Sequence, residues 1–284
     1  MKTRHTVFAM AAIGLIGATA SGEDPKNLLF FGNSFTAAAG GVHRIVQNIA
    51  VSAGHPVPYV YGQAIGGVTL QYHLTNSTGV ITSGIAPGGH WDNVILQEYS
   101  TVPTFHPTFG NVPSFLSAAN GLYQAVLNHS PAAKAVMFET WARGPGHSYY
   151  PTQWPTPAAM QSELRINYHT CVDNLNTLHG AGSAAYAPVG DAFEAGNFDL
   201  GLYSGDIYHE SNRGALLVSL VLYGRVYADT TTSDINLSAV AATLGLGAAD
   251  ISFTTALADQ VLVPAPSALA LLVMGGLLAC QRRR

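Results

Sequence analysis

The sequence predicts a three-layer α/β/α sandwich, a doubly wound and mostly parallel sheet with helices on both faces. Five short apolar runs read as strands, helical periodicity fills the intervals between them, and the strand runs are continuously apolar instead of alternating. Continuous runs mark strands covered on both sides, and repeated strand-helix units imply right-handed crossovers in one sheet.

The first strand is Asn27–Phe31, followed by a helix whose Val42, Ile45, Val46, Ile49 and Ala50 keep the i, i+3, i+4, i+7, i+8 spacing. The second strand is Val57–Tyr61 and the third Asn93–Gln97, after which Phe115, Ala119, Leu122 and Val126 form a second helical stripe. The fourth strand, Ala135–Thr140, leads to a stripe of Met160, Leu164, Cys171, Leu175 and Leu178, which makes Cys171 a core residue and no nucleophile. Ala184–Val189 is the fifth strand, and a last strong helix runs from about Asn212 to Tyr227. The stretch 230–261, rich in Ala, Thr, Ser and Gly, shows no clear element.

Charge narrows the function. Of 284 residues 48% are hydrophobic and 10% charged, and the net charge of −4 is uneven along the chain. Lys2, Arg4 and Arg282–Arg284 hold five of the twelve cations, so residues 21–263 carry seven Lys and Arg against sixteen Asp and Glu, a net of −9. Nucleic-acid binding needs basic surface to displace counterions from phosphates, and this body lacks it. The two cysteines, Cys171 and Cys280, fall in different regions and predict no disulfide framework.

Both ends read as addresses, giving a signal peptide over residues 1–20, one domain over 21–262 and a sorting signal over 263–284. Lys2 and Arg4 precede the apolar run Val7–Ile16, and Ala18-Thr19-Ala20 has the small-x-small form of a cleavage site. At the other end Val263-Pro264-Ala265-Pro266 leads into the uncharged run Ser267–Cys280 and then three arginines. At 1.5 Å per residue that run spans about 21 Å, short of a ~30 Å hydrocarbon core. The arginines would keep the C-terminus cytoplasmic while the body is exported. This end resembles the PEP-CTERM sorting signal of exopolysaccharide-producing bacteria, with Ala265 where that signal usually has Glu. The resemblance implies a sorting protease of the exosortase type as partner, a segment held transiently or permanently in the inner membrane, and a final place at the cell surface, in the periplasm or in the extracellular matrix.

Ligands of such sheets bind beyond the carboxyl ends of the strands, so the residues that follow each strand are the candidates. They are Gly32-Asn33-Ser34-Phe35-Thr36, Gly66-Gly67-Val68-Thr69, Gln97-Glu98-Tyr99-Ser100 and Glu139-Thr140-Trp141-Ala142-Arg143, with Asp206-Ile207-Tyr208-His209 just before the last helix. A serine hydroxyl becomes a nucleophile when an imidazole accepts its proton, and the imidazole needs a carboxylate to fix its tautomer. Ser34, His209 and Asp206 meet that need, with Glu210 a rival for the acid. An oxyanion hole could be supplied by the Ser34 N–H, a Gly67 (or Gly66) N–H and the Gln97 amide.

In these blocks the sequence resembles the SGNH (GDSL-like) hydrolases, within a poorly characterised bacterial branch. Phe31-Gly32-Asn33-Ser34-Phe35-Thr36 is similar to the nucleophile block, with Asn33 for the usual Asp and Phe35 for the usual Leu, and Gly67-Val68-Thr69 to the second block. Trp91-Asp92-Asn93-Val94-Ile95-Leu96-Gln97-Glu98 is similar to the third, with Gln97 where the wider superfamily has Asn, and Asp206-Ile207-Tyr208-His209 to the last. The resemblance implies a flavodoxin-like strand order 2-1-3-4-5, a catalytic Ser34, Asp206 and His209, an oxyanion hole of Ser34, Gly67 and Gln97, and no cofactor. It makes the protein an exported serine esterase acting on short acyl, O-acetyl esters of extracellular polysaccharide, and the alternative is a non-catalytic glycan-binding protein on the same fold.

Other chemistries lack their motifs. There is no His-Glu-x-x-His or Cys-x-x-Cys for a metal, no Gly-Lys-Ser/Thr phosphate loop, no dinucleotide fingerprint and no glycine two residues after Ser34 as a nucleophile elbow requires. Gly146–Trp154 offers aromatic rings whose flat faces suit sugars.

Overall fold

The computed structural model describes residues 23–263. The expected signal peptide over residues 1–20 and nearly all of the expected sorting signal over 263–284 lie outside the described residues. Five parallel strands, β1 (Asn27–Gly32), β2 (Tyr59–Ala64), β3 (Asn93–Leu96), β4 (Lys134–Phe138) and β5 (Ala184–Ala187), form one sheet in the order β2-β1-β3-β4-β5. The helices in chain order are α1 (Ser34–Ala37), α2 (Val42–Ser52), α3 (Leu70–Asn76), α4 (Val80–Ser83), α5 (Val112–His129) and α6 (Pro157–His179). They continue with α7 (Val189–Ala195), α8 (Asn212–Tyr227), α9 (Ser238–Thr243) and α10 (Ala248–Leu262).

The apolar strands follow from two cores. Successive residues of a strand point to opposite faces, so Leu28 and Phe30 join α2, α7, α8 and α10 on one side while Leu29 and Phe31 join α3, α5 and α6 on the other. Val94, Ile95 and Leu96 divide likewise. This is the sandwich read from the sequence, in the strand order that the resemblance implies. Helix α8 is buried almost all round, from Gly214 to Gly224, and Cys171 lies wholly buried in the second core, where burial pushes its thiol well above the ordinary value. No helix among the described residues is long and apolar enough to cross a membrane.

The bounds differ where the sheet meets solvent. Strand β2 starts two residues later than its apolar run and continues through Gly62 and Gln63, because an edge strand needs only one paired side. Residues 230–261, read without a clear element, contain α9 and nearly all of α10. Their order depends on a polar clasp: the Asp259 carboxylate accepts from Thr232 Oγ1 at 2.7 Å and from Ser233 Oγ at 2.6 Å, as well as from both backbone N–H groups. Such a clasp has no hydropathy signature.

Glu98, one residue beyond the Gln97 that ends the third predicted run, is buried and accepts at Oε1 from Leu70 N (3.1 Å) and Tyr99 N (2.6 Å), which ties the start of α3 to the sheet. Burial raises its carboxyl from 4.5 to about 7 against those two hydrogen bonds. Between these values the unfolded chain ionises and the folded one does not, so unfolding releases a proton and stability falls as pH rises. Glu98→Gln keeps the accepting oxygen and loses the titration. Denaturant unfolding at pH 4.5 and 8 should show the variant gaining about 3 kcal/mol on the wild type at the higher pH; parallel profiles would contradict this.

Candidate active site

The site begins where β1 runs out. A Cβ on Gly32 would collide with Thr36 and the Gln97 side chain, so the chain turns there only as glycine. Asn33 caps α1, its Oδ1 accepting from Phe35 N at 3.2 Å and its backbone oxygen from the N–H groups of Thr36 and Ala37, both 3.0 Å. Ser34 is therefore the first residue of a helix resting on the end of the central strand. Its own N–H has no acceptor among the described residues.

Gln97 holds this turn from behind. Its Oε1 accepts from Asn33 N (2.8 Å) and Thr36 Oγ1 (3.0 Å), while Nε2 donates to Asn33 Oδ1 (3.0 Å) and Glu98 O (2.6 Å). Both amide protons are thus engaged inside the protein and the side chain is almost fully buried. This corrects the expectation that Gln97 is an oxyanion donor; its longer side chain reaches under the serine turn and supports it. Asn33 Nδ2 in turn donates to Val68 O at 3.1 Å, and Ile65 N to Gly32 O at 3.1 Å, drawing the Gly66-Gly67 loop against the serine turn. Gly67 has φ +74°, a conformation that favours glycine. Neither Gly66 nor Gly67 has an acceptor for its N–H among the described residues.

The base arrives from the segment before α8. Asp206 Oδ1 accepts from Ser204 Oγ (2.7 Å), Tyr208 N (2.9 Å) and His209 N (2.9 Å), folding the six residues 204–209 around one oxygen. Its other oxygen lies 2.6 Å from His209 Nδ1, and His209 Nε2 lies 2.9 Å from Ser34 Oγ. With Nδ1–H donating to the carboxylate, Nε2 is the bare nitrogen and accepts a hydrogen bond from the Ser34 hydroxyl. Burial by itself would raise the Asp206 carboxyl, yet the hydrogen bonds from the His209 ring, Ser204 and the two backbone N–H groups outweigh it and hold the acid well below the usual range. The imidazole side chain is 33% and the carboxylate 49% exposed, so solvent reaches both. Ile207, a β-branched residue at φ +56°, carries the strain of this tight loop, and its oxygen is held by Gly144 N at 3.0 Å.

Glu210 does not compete for the acid role. Its carboxyl is buried with neither oxygen hydrogen-bonded among the described residues, and desolvation, with Asp206 adding to it, raises it well above the ordinary value. A carboxyl with no hydrogen bond to the imidazole does not orient it.

Several residues of the candidate segments support the site through stacking across elements, a role that sequence spacing does not show. Trp141, fully buried, lies between Phe35 (4.1 Å) and Phe193 (4.5 Å), and its Nε1 donates to Tyr208 O at 3.1 Å. Phe35 also meets the His209 ring edge-on at 5.6 Å. The buried Arg143 guanidinium sits 3.5 Å over the Tyr208 ring and donates to Ser100 Oγ at 2.9 Å. The aromatic segment packs largely on itself: Tyr149 stacks on Phe109 at 5.5 Å and touches Trp154 and His147, while Arg143 lies 5.5 Å from the Tyr149 ring. Arg143 thus bridges this cluster to Tyr208, the neighbour of the base. Among the described residues no three His, Cys, Asp or Glu side chains are grouped to hold a metal ion.

Solved structures share this architecture. A candidate SGNH hydrolase from Slackia heliotrinireducens superposes with a TM-score of 0.56 at 24% identity, covering 70% of this chain and 98% of its own. A DUF4886 family protein from Bacteroides uniformis gives 0.64 at 16% identity, covering 85% and 96%. The chain has the SGNH hydrolase fold. An acetyl xylan esterase, AlAXEase, shares that fold with a TM-score of 0.50 at 18% identity, covering 70% of this chain and 99% of its own. No family model and no curated protein matches the sequence.

The two roles considered for Gln97 separate experimentally. Gln97→Ala leaves the Asn33 N–H and the Thr36 hydroxyl unpaired, so it should cost about 2 kcal/mol or more of stability in denaturant unfolding. Unchanged stability with kcat lowered about 10²–10³-fold would restore the oxyanion role.

Proposed function

We propose that the protein is an exported serine esterase of the SGNH type that removes short acyl groups, acetyl above all, from extracellular polysaccharide. The observation that carries this reading is the continuous relay from Asp206 through His209 to the Ser34 hydroxyl. In the reaction Ser34 Oγ attacks the ester carbonyl as its proton passes to His209 Nε2, and Asp206 stabilises the imidazolium. The oxyanion of the tetrahedral intermediate takes its hydrogen bonds from the Ser34 N–H and an N–H of the Gly66-Gly67 loop. His209 then protonates the departing sugar hydroxyl, leaving an acyl-serine. Water, deprotonated by the same nitrogen, attacks that ester, and collapse releases the carboxylic acid and returns the proton to Ser34.

The glycan part of the reading rests on the half-buried rings of Phe109 and Tyr149 beside Arg143, on the low charge of the body and on the fold shared with an acetyl xylan esterase. Export rests on the leader and on the tail that resembles a PEP-CTERM signal. After sorting, the protein would act at the cell surface, in the periplasm or in the matrix.

Kinetics with p-nitrophenyl acetate and with acetylated xylan test the assignment. Ser34→Ala and His209→Ala should each lower kcat/KM by about 10³-fold or more while the fold persists, and the double variant should be scarcely worse, since the members act as a unit. Asp206→Asn should cost less than either. Retained hydrolysis in Ser34→Ala would defeat the enzyme reading and favour a glycan-binding scaffold.

A further inference from the structure

The body of this protein is poor in cations, and their distribution is uneven. Of the seven between residues 21 and 263, Arg165 is paired with Asp191 and Glu194, Arg213 lies 3.3 Å from Asp250, and Arg143 stacks beside the active site. Three others, Lys26, Lys134 and Arg225, line one cavity of about 420 Å³ whose single lining carboxylate is Asp92. That carboxylate already accepts the Asn27 N–H at 2.7 Å.

The cavity lies at the edge where the strands begin, formed in part by Asn93, Lys134 and Ala184, the first residues of β3, β4 and β5. Ser34 and His209 lie beyond the opposite edge, about 16 Å away along five strand residues. Arg225, in the last turn of α8, gains from the helix dipole. The dipole does not account for its state, because Nε is buried without a hydrogen-bond partner and no carboxylate pairs with the guanidinium among the described residues. Lys134 likewise has no ion pair there, whereas Lys26 Nζ lies 3.7 Å from Glu23. Like charges gathered in a concave wall repel one another, and a buried donor left unpaired is costly. Both costs are relieved by an anion with several acceptor oxygens.

We propose that this cavity binds a phosphate group, with Arg225 and Lys134 as its principal ligands and Lys26 as a third cation. The volume exceeds what one phosphate needs, leaving space for a small polar body that carries it. A soluble phosphate ester and the headgroup of an anionic lipid both present this chemistry. The second source gains from position: Leu262, which ends α10, packs on Gly224 beside Arg225, so the chain leaves the body next to the cavity.

The test uses the full chain, with inorganic phosphate in isothermal titration and with vesicles of phosphatidylglycerol or phosphatidylcholine in co-sedimentation. Saturable phosphate binding that Lys134→Gln and Arg225→Gln each weaken about tenfold, while Arg44→Gln does not, supports the site and points to a soluble ester. A preference for phosphatidylglycerol over phosphatidylcholine that the same two substitutions abolish supports the site and points to a headgroup. Should Arg225→Gln fail to fold, the exposed Lys134 decides alone. Hydrolysis of p-nitrophenyl acetate stays at the wild-type rate in Lys134→Gln. Binding of neither probe, or binding indifferent to the Lys134 and Arg225 substitutions, overturns the proposal.

Discussion

The carboxylate of Asp206 accepts four hydrogen bonds from within its own six-residue loop, and three of them shape the backbone while the fourth aims the imidazole. That division explains how an exposed loop can hold a catalytic geometry. Oδ1 closes the turn and tolerates the left-handed Ile207; Oδ2 is thereby left in the plane where His209 Nδ1–H finds it. The neighbouring elements then need only present Ser34 at the right height. They do so through a second knot, in which Gln97 and Asn33 exchange hydrogen bonds at the end of the central strands. Two polar knots, one under the nucleophile and one under the base, are joined through the stack of Phe35, Trp141 and Phe193 and through the Trp141 hydrogen bond to Tyr208.

Electrostatic sorting accompanies the geometry. Asp206 and Glu210 are four residues apart, yet hydrogen bonding holds the first well below the ordinary carboxylate range while desolvation drives the second well above it. Environments that push neighbouring acids apart assign their roles. The first is hydrogen-bonded to the His209 ring, and the second has no hydrogen-bond partner for its carboxyl among the described residues. Cations show a parallel separation, with Arg143 serving the aromatic side of the site and three others gathered at the far edge of the sheet.

How far the chain could be read follows from what each feature depends on. The strands were legible because a strand buried on both faces must be apolar throughout, as Leu28-Leu29-Phe30-Phe31 is. Ser34 stood out because it follows a strand at the edge where such sheets bind ligands, and Asp206 and His209 because they precede the last helix three residues apart; the fold brings them within hydrogen-bond reach. Gln97 was read as an oxyanion donor, whereas its amide is spent on Asn33, Thr36 and Glu98, since the direction of an amide depends on partners distant in sequence. Helices α9 and α10 were missed because Ala and Thr carry little periodic contrast and the Asp259 clasp is a contact between segments. Trp141, Arg143 and Tyr208 matter through stacking across three loops, which linear spacing does not encode.

The central claim is that Ser34 is an activated nucleophile, and trapping it chemically is the most direct measurement. The protein is incubated with diethyl p-nitrophenyl phosphate, its intact mass recorded and the modified peptide sequenced. One diethylphosphoryl adduct located on Ser34, absent from Ser34→Ala and formed far more slowly in His209→Ala, is the expected result. No adduct on the wild-type protein, or an adduct on another residue that persists in Ser34→Ala, would contradict the account.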